Sequence, residues 1–281
     1  MNGLKLRLLV EQFLLEDIGA GDLSADSIFL DKTKGKMVFV AKESGVFCGT
    51  AIFKMAFQLL DQHIQIEVMV KDGEEIRAGQ ELAVASGNVA ALLSGERVVL
   101  NLIQRMSGIA TLTKAAVNEL DNESIRICDT RKTTPGLRML EKYAVRCGGG
   151  YNHRHGLYDA VMIKDNHIAF AGSITRAVEL ARRNTGHMVN IEVETETKEQ
   201  VVEAVESGAD VIMFDNRLPE EIEEFVKLVP AHITTEASGG IQLDNLKDYR
   251  YTGVNYISLG FLTHSYKAID ISANVLIEEE H

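Results

Sequence analysis

Short apolar runs recur along the chain from about residue 124 onward, and polar residues follow each run. Six of them have the length and composition of buried β-strands: SIRICDT, DAVMIKD, MVNIEVE, DVIMFD, HITTEAS and NYISLG. Helix signals lie between several of the runs, namely Ser173 before an amphipathic stretch, a capping box of Thr197 and Gln200, and Pro219 in a first turn. Strands that alternate with helices predict a parallel sheet, either open or closed into a barrel.

The first hundred residues follow a different pattern. After an amphipathic helical stretch at the N-terminus, glycines at 73, 79 and 87 punctuate β-like runs such as IQIEVMVKDGEEIRAGQELAVASG. This pattern predicts a scaffold domain with no chemistry of its own. Residues 89–120 carry apolar side chains at helical spacing, and we expect Gly108 to divide them into two helices.

Composition restricts the classes of function. The chain has 281 residues, a net charge of −12 and no apolar run as long as a membrane span, so we expect no binding to nucleic acid or membranes. Three scattered cysteines without a CxxC pair argue against a disulfide framework or a zinc site, and they are typical of a reducing cytoplasm. Residues 131–167 are locally basic, because seven Lys or Arg against three Asp or Glu give +4. That excess suggests a site for a small polyanion.

Small and polar residues directly after the predicted strands favour a barrel, because barrel enzymes place their sites at the carboxyl ends of their strands. Ser238, Gly239 and Gly240 follow one strand, and Gly260 follows the last. Small residues at these positions let backbone N–H groups approach an anion. The last strand ends therefore predict a phosphate site.

Two carboxylates end neighbouring predicted strands. Glu194 and Asp215 could hold Mg²⁺ through water, bind ribose hydroxyls or stabilise a developing cation. Glu192 precedes Glu194 by two residues, so both point to the same face of the strand, and one of them is a candidate supporting residue.

Cationic side chains follow other predicted strands. Arg131 and Lys132 come directly after one strand, His153 and Arg154 lie in the segment NHRHG, and Lys164 lies in IKDNH. The planar guanidinium of arginine matches a carboxylate bidentately. Together these groups would suit a dicarboxylate beside a pyrophosphate.

Two other enzyme classes fit part of the pattern. His153 and His155 form an HxH pair that suggests a metal-dependent amidohydrolase barrel, although Arg154 between them would place positive charge beside a divalent metal. Lys164 could also be the Schiff-base nucleophile of an aldolase, which does not explain the arginines.

Seven segments resemble the quinolinate phosphoribosyltransferase family, also called carboxylating nicotinate-nucleotide pyrophosphorylase. They read ERVVLNLIQRMSGIAT, DTRKTTPGLR, GGGYNHRHGLYDAVMIKDNH, IEVET, VIMFDN, EASGGI and ISLGFLTH, in that order along the chain. The order DTRKTTPG, NHR, KDNH is highly specific. A molybdenum-transport-associated branch shares the TRKT and HR elements, but the intact KDNH at 164–167 favours the biosynthetic enzyme.

The resemblance implies a fold and an activity. The fold is α/β, with an N-terminal α/β sandwich domain over residues 1–105, joined by the C-terminal segment 268–281, and an incomplete parallel α/β barrel over 106–267. The activity converts quinolinate and phosphoribosyl pyrophosphate to nicotinate mononucleotide, pyrophosphate and CO2 in NAD biosynthesis. The resemblance further implies a homodimer or larger assembly and Mg²⁺ as the cofactor.

The resemblance also implies roles for individual residues. Quinolinate would be received by Arg131, His153, Arg154 and Lys164, and by Arg97 from a neighbouring subunit. Phosphoribosyl pyrophosphate and its Mg²⁺ would be held by Lys132, Glu194, Asp215, Ser238, Gly239, Gly260 and His264, with Gly240 completing the phosphate turn. The expected catalytic residues are Lys164, Glu194 and Asp215, and the last two are the expected metal ligands.

Overall fold

The computed structural model describes residues 1–29 and 33–276, and the chain divides into two compact units. The first unit contains residues 1–112, residues 135–149 and the chain from 266 onward, and the second contains residues 113–134 and 150–265. The predicted boundaries after 105 and 267 stay predictions, and residues 135–149, which they assign to the barrel, pack in the first unit. Residues 277–281 of the predicted joining segment lie outside the described residues.

The helices and strands follow in chain order. As far as residue 120 they are α1 (Gly3–Ile18), α2 (Leu23–Ile28), β1 (Lys34–Ala41), β2 (Gly45–Val46), α3 (Thr50–Leu60), β3 (Gln65–Val68), β4 (Glu75–Ile76), β5 (Glu81–Asn88) and α4 (Val89–Leu120). Then come β6 (Arg126–Cys128), α5 (Arg138–Cys147), β7 (Val161–Ile163), α6 (Asp165–Ala171), α7 (Ile174–Asn184), β8 (Ile191–Thr195), α8 (Lys198–Glu206), β9 (Val211–Asp215), α9 (Pro219–Val226), β10 (Thr234–Ser238), a 3₁₀ helix (Leu246–Tyr251), β11 (Tyr256–Ser258), α10 (Phe261–His264) and β12 (Ile271–Leu276). No helix of the described chain has both the length and the apolar character needed to cross a membrane.

The first unit is built on an antiparallel sheet of four strands in the order β12–β1–β5–β3. Phe39 on β1 packs against Phe53 and Phe57 of α3, and the Phe39 and Phe53 ring centroids lie 4.8 Å apart in an edge-to-face arrangement. All three rings are fully buried. Aromatic pairs of this kind stabilise a core beyond the burial of their area, so the sheet and α3 form one hydrophobic layer interface.

The predicted break at Gly108 is wrong, because α4 runs without interruption from Val89 to Leu120. A Cβ atom added at Gly108 would lie 2.3 Å from the carbonyl oxygen of Lys267 and 2.9 Å from Cα of Ala268. The glycine therefore permits the returning chain to cross close to the helix. A single glycine inside a helix destabilises the helix by only about 1 kcal/mol relative to alanine. The packing around α4 outweighs this loss.

The second unit is a parallel sheet of six strands in the order β6–β11–β10–β9–β8–β7. Each of the six predicted strands is present, and helices occupy the connections between β7, β8, β9 and β10. Within the described residues β6 and β7 end the row and do not pair with each other, as expected of an incomplete barrel. The register places Ser238 beside Asp215, and the carboxyl ends of the strands therefore share one edge.

Local sequence signals fix the helices of this sheet. The Ser173 side chain accepts a hydrogen bond from the Arg176 N–H at 3.1 Å and caps α7. Thr197 and Gln200 form the predicted capping box of α8, and Pro219 is the first residue of α9. These signals determine where α7, α8 and α9 begin.

Candidate active site

A cavity of about 540 Å³ opens at the carboxyl ends of the parallel strands, within the second unit. Most of the predicted site residues line it: Arg131, Lys132, His153, Arg154, Lys164, Glu194, Asp215, Ser238, Gly239 and Gly240. Five lining residues were not predicted: Thr130, Met162, Met213, Asn216 and Ser258. The structure thus brings together residues as far apart in the sequence as Thr130 and Ser258.

Two carboxylates and one amine lie on neighbouring strand ends. The Nζ of Lys164, which follows β7, forms an ion pair with Oε1 of Glu194 near the end of β8. Burial raises the pKa of Glu194, the pairing with Lys164 opposes this, and the negative charge of Asp215 raises it further. Like charges in a partly buried site favour a nearby cation, and carboxylate oxygens are ligands of the kind that Mg²⁺ prefers.

The turn after β10 depends on two glycines in the left-handed region, with φ of 81° at Gly239 and 67° at Gly240. A Cβ atom at Gly239 would lie 2.4 Å from Oδ1 of Asn216. Asn216 itself has φ of 52°, donates from its backbone N–H to the Ser238 carbonyl at 2.9 Å, and donates from its side chain to Asp215 at 2.8 Å. Asn216 therefore links the predicted phosphate turn to the predicted metal ligand.

Gly260 and His264 lie close to Lys132, which lines the cavity. A Cβ atom at Gly260 would be 3.0 Å from Cδ of Lys132 and 3.3 Å from Nε2 of His264. Thr263 donates from its hydroxyl to the Lys132 carbonyl at 2.8 Å. These contacts hold the loop after β6 against the first turn of α10, although neither Gly260 nor His264 is among the residues lining the cavity.

Two arginines line the cavity, Arg131 and Arg154. The Nε of Arg131 is buried and has no hydrogen-bond partner within the described residues. Arg154 donates to the Ala160 carbonyl at 3.1 Å and contacts Sδ of Met162 at 3.5 Å. Burial lowers the pKa of Arg154, and the charge of Arg131 lowers it further. Two neighbouring arginines with donating capacity to spare are suited to a ligand with more than one carboxylate.

A buried acidic layer lies behind His153. The Nε2 of His153 is 3.1 Å from Oε2 of Glu192 and 3.6 Å from Oε1 of Glu236. The backbone N–H of His153 donates to Asp129 at 2.9 Å. Burial and the charge of Glu192 raise the pKa of Glu236 to about 8, although His153 acts in the opposite direction. The prediction that Glu192 could be a supporting residue stays a prediction, and it is consistent with this contact.

Sequence reasoning missed Glu236 and Asp129, although a signal for Glu236 was present. Glu236 precedes Ser238 by two residues on β10, as Glu192 precedes Glu194 on β8, so the strand period places each pair on one face. Asp129 directly follows β6, and its sequence position alone gave it no role.

Arg97 and His155 do not line the cavity. Arg97 lies on α4 in the first unit with 62% of its side chain exposed, and its nearest acidic partner is Glu96 at 3.9 Å. His155 lies in a loop where its backbone N–H donates to Asp159 at 2.6 Å. The HxH pair therefore does not converge on one point of the cavity, unlike the histidines of an amidohydrolase metal site.

The fold and the cavity define a barrel-type enzyme for anionic substrates. Two family models match the chain: the quinolinate phosphoribosyl transferase N-terminal domain over residues 22–107 and its C-terminal domain over 109–274. The chain is 61% identical over 280 residues to the probable nicotinate-nucleotide pyrophosphorylase [carboxylating] of Bacillus subtilis, covering 100% of this chain and 96% of that protein.

Solved structures give the same result. NadC from Streptococcus pyogenes matches with a TM-score of 0.95 at 39% identity, covering 99% of this chain and 100% of that one. The nicotinate-nucleotide pyrophosphorylase from Francisella tularensis matches with a TM-score of 0.93 at 36% identity, covering 98% of each chain. The chain therefore belongs to the quinolinate phosphoribosyltransferase family, and the amidohydrolase and aldolase interpretations are wrong.

Proposed function

We propose that this chain is a quinolinate phosphoribosyltransferase, which converts quinolinate and phosphoribosyl pyrophosphate to nicotinate mononucleotide, pyrophosphate and CO2 in NAD biosynthesis. The observation that carries the proposal is the pair of arginines in the cavity: the buried Nε of Arg131 has no partner in the described chain, and Arg154 lies beside it. A monocarboxylate would satisfy one guanidinium. Quinolinate carries two adjacent carboxylates and would satisfy both.

The opposite side of the cavity suits the phosphorylated sugar. The glycine turn at 239–240 lets backbone N–H groups approach a phosphate, and Lys132 supplies positive charge to it. Glu194 and Asp215 would hold Mg²⁺, directly or through water, and when bound the ion would neutralise the departing pyrophosphate. His264 would act beside Lys132, since both side chains lie close to Gly260. His264 itself is not among the residues lining the cavity.

The residues of the chain act mainly by position and charge. Departure of pyrophosphate leaves positive charge on the sugar carbon, which the carboxylates of Glu194 and Asp215 stabilise. Lys164 holds Glu194 in place through their ion pair and is close enough to the cavity to contact quinolinate. The pyridine nitrogen then attacks the sugar, and the cationic ring that results favours loss of the adjacent carboxylate as CO2. The electron pair left on that ring carbon takes up a proton. No protein nucleophile is required.

The proposal includes an assembly and a location. Arg97 is exposed on α4 and lies outside the cavity lining, which is compatible with delivery to the site of a second copy in a homodimer. The net charge of the chain, −12, and its three scattered cysteines support a cytoplasmic enzyme that binds neither nucleic acid nor membranes.

One assay tests the substrate assignment. Purified protein with phosphoribosyl pyrophosphate and Mg²⁺ should convert quinolinate with release of CO2, and nicotinate should be a poor substrate because it leaves one arginine unpaired. Equal turnover of quinolinate and nicotinate would contradict the dicarboxylate assignment. The molybdenum-transport-associated alternative would gain support if neither pyridine carboxylate reacted.

A further inference from the structure

The first unit holds a second cluster of reactive side chains, which the proposed reaction does not use. The Sγ atoms of Cys48 and Cys147 and a carboxylate oxygen of Asp72 all lie within 4.8 Å of one another. Cys48 is fully buried immediately before the N-cap of α3, whereas Cys147 is the partly exposed last residue of α5. The two thiols lie side by side although they are distant in sequence.

Asp72 in this cluster already has a structural role. Its Oδ1 accepts hydrogen bonds from the backbone N–H groups of Gly49 at 2.7 Å and Thr50 at 2.9 Å, which caps α3. Its Oδ2 accepts from the Thr50 hydroxyl at 3.1 Å and from the Tyr143 hydroxyl at 2.6 Å. A metal ion would have to displace these donors. Without Asp72 only two thiolates remain, fewer than the ligands of a zinc site, so the cluster is better described as a dithiol beside a structural carboxylate.

The two thiols differ in their readiness to react. The neighbouring Cys48 thiol lowers the pKa of Cys147, and burial and the negative charge of Asp72 act against it. Burial raises the pKa of Cys48. The thiolate is the nucleophile and must be reached from solvent, so Cys147 is the thiol that an oxidant reacts with first. Cys48 lies close enough to attack the oxidised Cys147 sulfur afterwards.

We propose that Cys48 and Cys147 are a modification site, a dithiol that a hydroperoxide converts reversibly to a disulfide. The Cys147 thiolate attacks the peroxide, the O–O bond breaks, the departing hydroxide is protonated to water, and Cys147 becomes a sulfenic acid. Cys48 then loses its proton and attacks the Cys147 sulfur. The S–S bond forms, the S–O bond breaks and a second water leaves. In total, two thiols and one hydrogen peroxide give one disulfide and two waters.

The backbone around Cys147 permits the approach that this bond requires, since the sulfurs must close to about 2.05 Å. Cys147 ends α5 and is followed by three glycines at 148–150, with φ of 89° at Gly149. The disulfide would tie the end of α5 to the start of α3 and close a loop of about 100 residues. Long loops gain the most from such a bond, so we expect the oxidised protein to have a higher midpoint of thermal unfolding than the reduced protein.

Peptide mapping tests the proposal on the unaltered chain. Reduced protein is treated with hydrogen peroxide, alkylated without reductant and digested with trypsin, which releases Cys48 within residues 43–54, Cys147 within 147–154 and Cys128 within 127–131. We expect the 43–54 and 147–154 peptides joined by a disulfide, free thiols falling from three to one per chain, and full reversal by dithiothreitol. The buried Cys128 should stay alkylated and is the internal control.

Two variants separate the steps. Cys48→Ser should leave Cys147 as a sulfenic acid that dimedone labels, whereas Cys147→Ser should react little with peroxide. Cys128→Ser should form the disulfide as the parent does. The proposal is overturned if peroxide leaves three free thiols, if Cys147 is oxidised in the parent without joining Cys48, or if the purified protein holds zinc that thiol alkylation releases. The parent digest decides the matter even if a variant fails to fold.

Discussion

Replacing Glu236 tests whether the buried carboxyl next to His153 is protonated in the folded protein. The pKa of Glu236 is raised from an ordinary 4.5 to about 8. As the pH rises from about 4.5 to about 8, this carboxyl ionises in the unfolded chain but stays protonated in the folded one. The unfolded state then binds fewer protons, so the free energy of unfolding falls with rising pH. The contribution is complete below about pH 4.5 and lost by about pH 8.

The magnitude follows from the shift. A difference of 3.5 units between 8 and 4.5, at about 1.36 kcal/mol per unit, gives an upper limit of about 5 kcal/mol. Relaxation and water entry around a buried pair reduce this figure, because real proteins lower the cost of a buried charge. We expect a change of about 2–5 kcal/mol across the window.

Glu236→Gln keeps the shape of the side chain and removes its titration. Urea unfolding of parent and variant between pH 5 and pH 8.5 should show the parent losing stability relative to Glu236→Gln, by up to about 1.4 kcal/mol per pH unit. His153 and Glu192 are present in both proteins. Glu223→Gln, on the exposed side of α9, is the matched control and should follow the parent. Parallel curves for the parent and Glu236→Gln would refute the assignment of a neutral buried carboxyl.

Three further predictions concern the proposed reaction. Lys164→Ala should lose about 3 kcal/mol of transition-state stabilisation, or about 150-fold in kcat/KM, with unchanged circular dichroism; near-normal kinetics would remove Lys164 from the site. Gly239→Ala should raise KM for phosphoribosyl pyrophosphate at least tenfold, because its Cβ would meet the side chain of Asn216, and isothermal titration showing unchanged affinity would contradict this. Arg97→Ala and Arg154→Ala should each be nearly inactive alone. When the two variants are refolded together, half of the dimers should be mixed, and each mixed dimer should hold one intact site and one site with both defects. A quarter of all sites would then be intact, so activity should recover toward a quarter of the parental value. Absence of recovery when mass spectrometry detects mixed dimers would place Arg97 outside the partner's site.

Much of the barrel and its cavity could be predicted because both follow from local rules. A buried parallel strand is a short apolar run in the sequence, and a polar residue marks its carboxyl end. Glu194, Asp215 and Ser238 could therefore be placed at the carboxyl edge of the sheet from the sequence alone. The helix starts at Ser173 and Pro219 were predictable for the same reason, since caps act within one turn.

The remainder depends on contacts between distant parts of the chain. Gly108 resembles a helix breaker in sequence, and only the position of Lys267 shows that it accommodates a neighbouring backbone. The layer of Glu192 and Glu236 behind His153 requires knowledge of strand order, because β8 and β10 are separated in the sheet by β9. The pairing of Cys48 with Cys147 is likewise invisible in a list of cysteine spacings.

The way the first unit is assembled has a consequence for the order of synthesis. Its sheet pairs β1 with β12 from Lys36 with Leu276 to Ala41 with Ile271, so β1 is synthesised long before the strand that covers one of its edges. The parallel sheet of the second unit lies wholly between residues 113 and 265, so it can form before β12 is synthesised. During translation, β1 is therefore an open strand edge for the time needed to add more than two hundred residues. A nonsense mutation between 266 and 270 would leave that edge permanently open, and its product should be cleared or aggregate although all six strands of its parallel sheet are present.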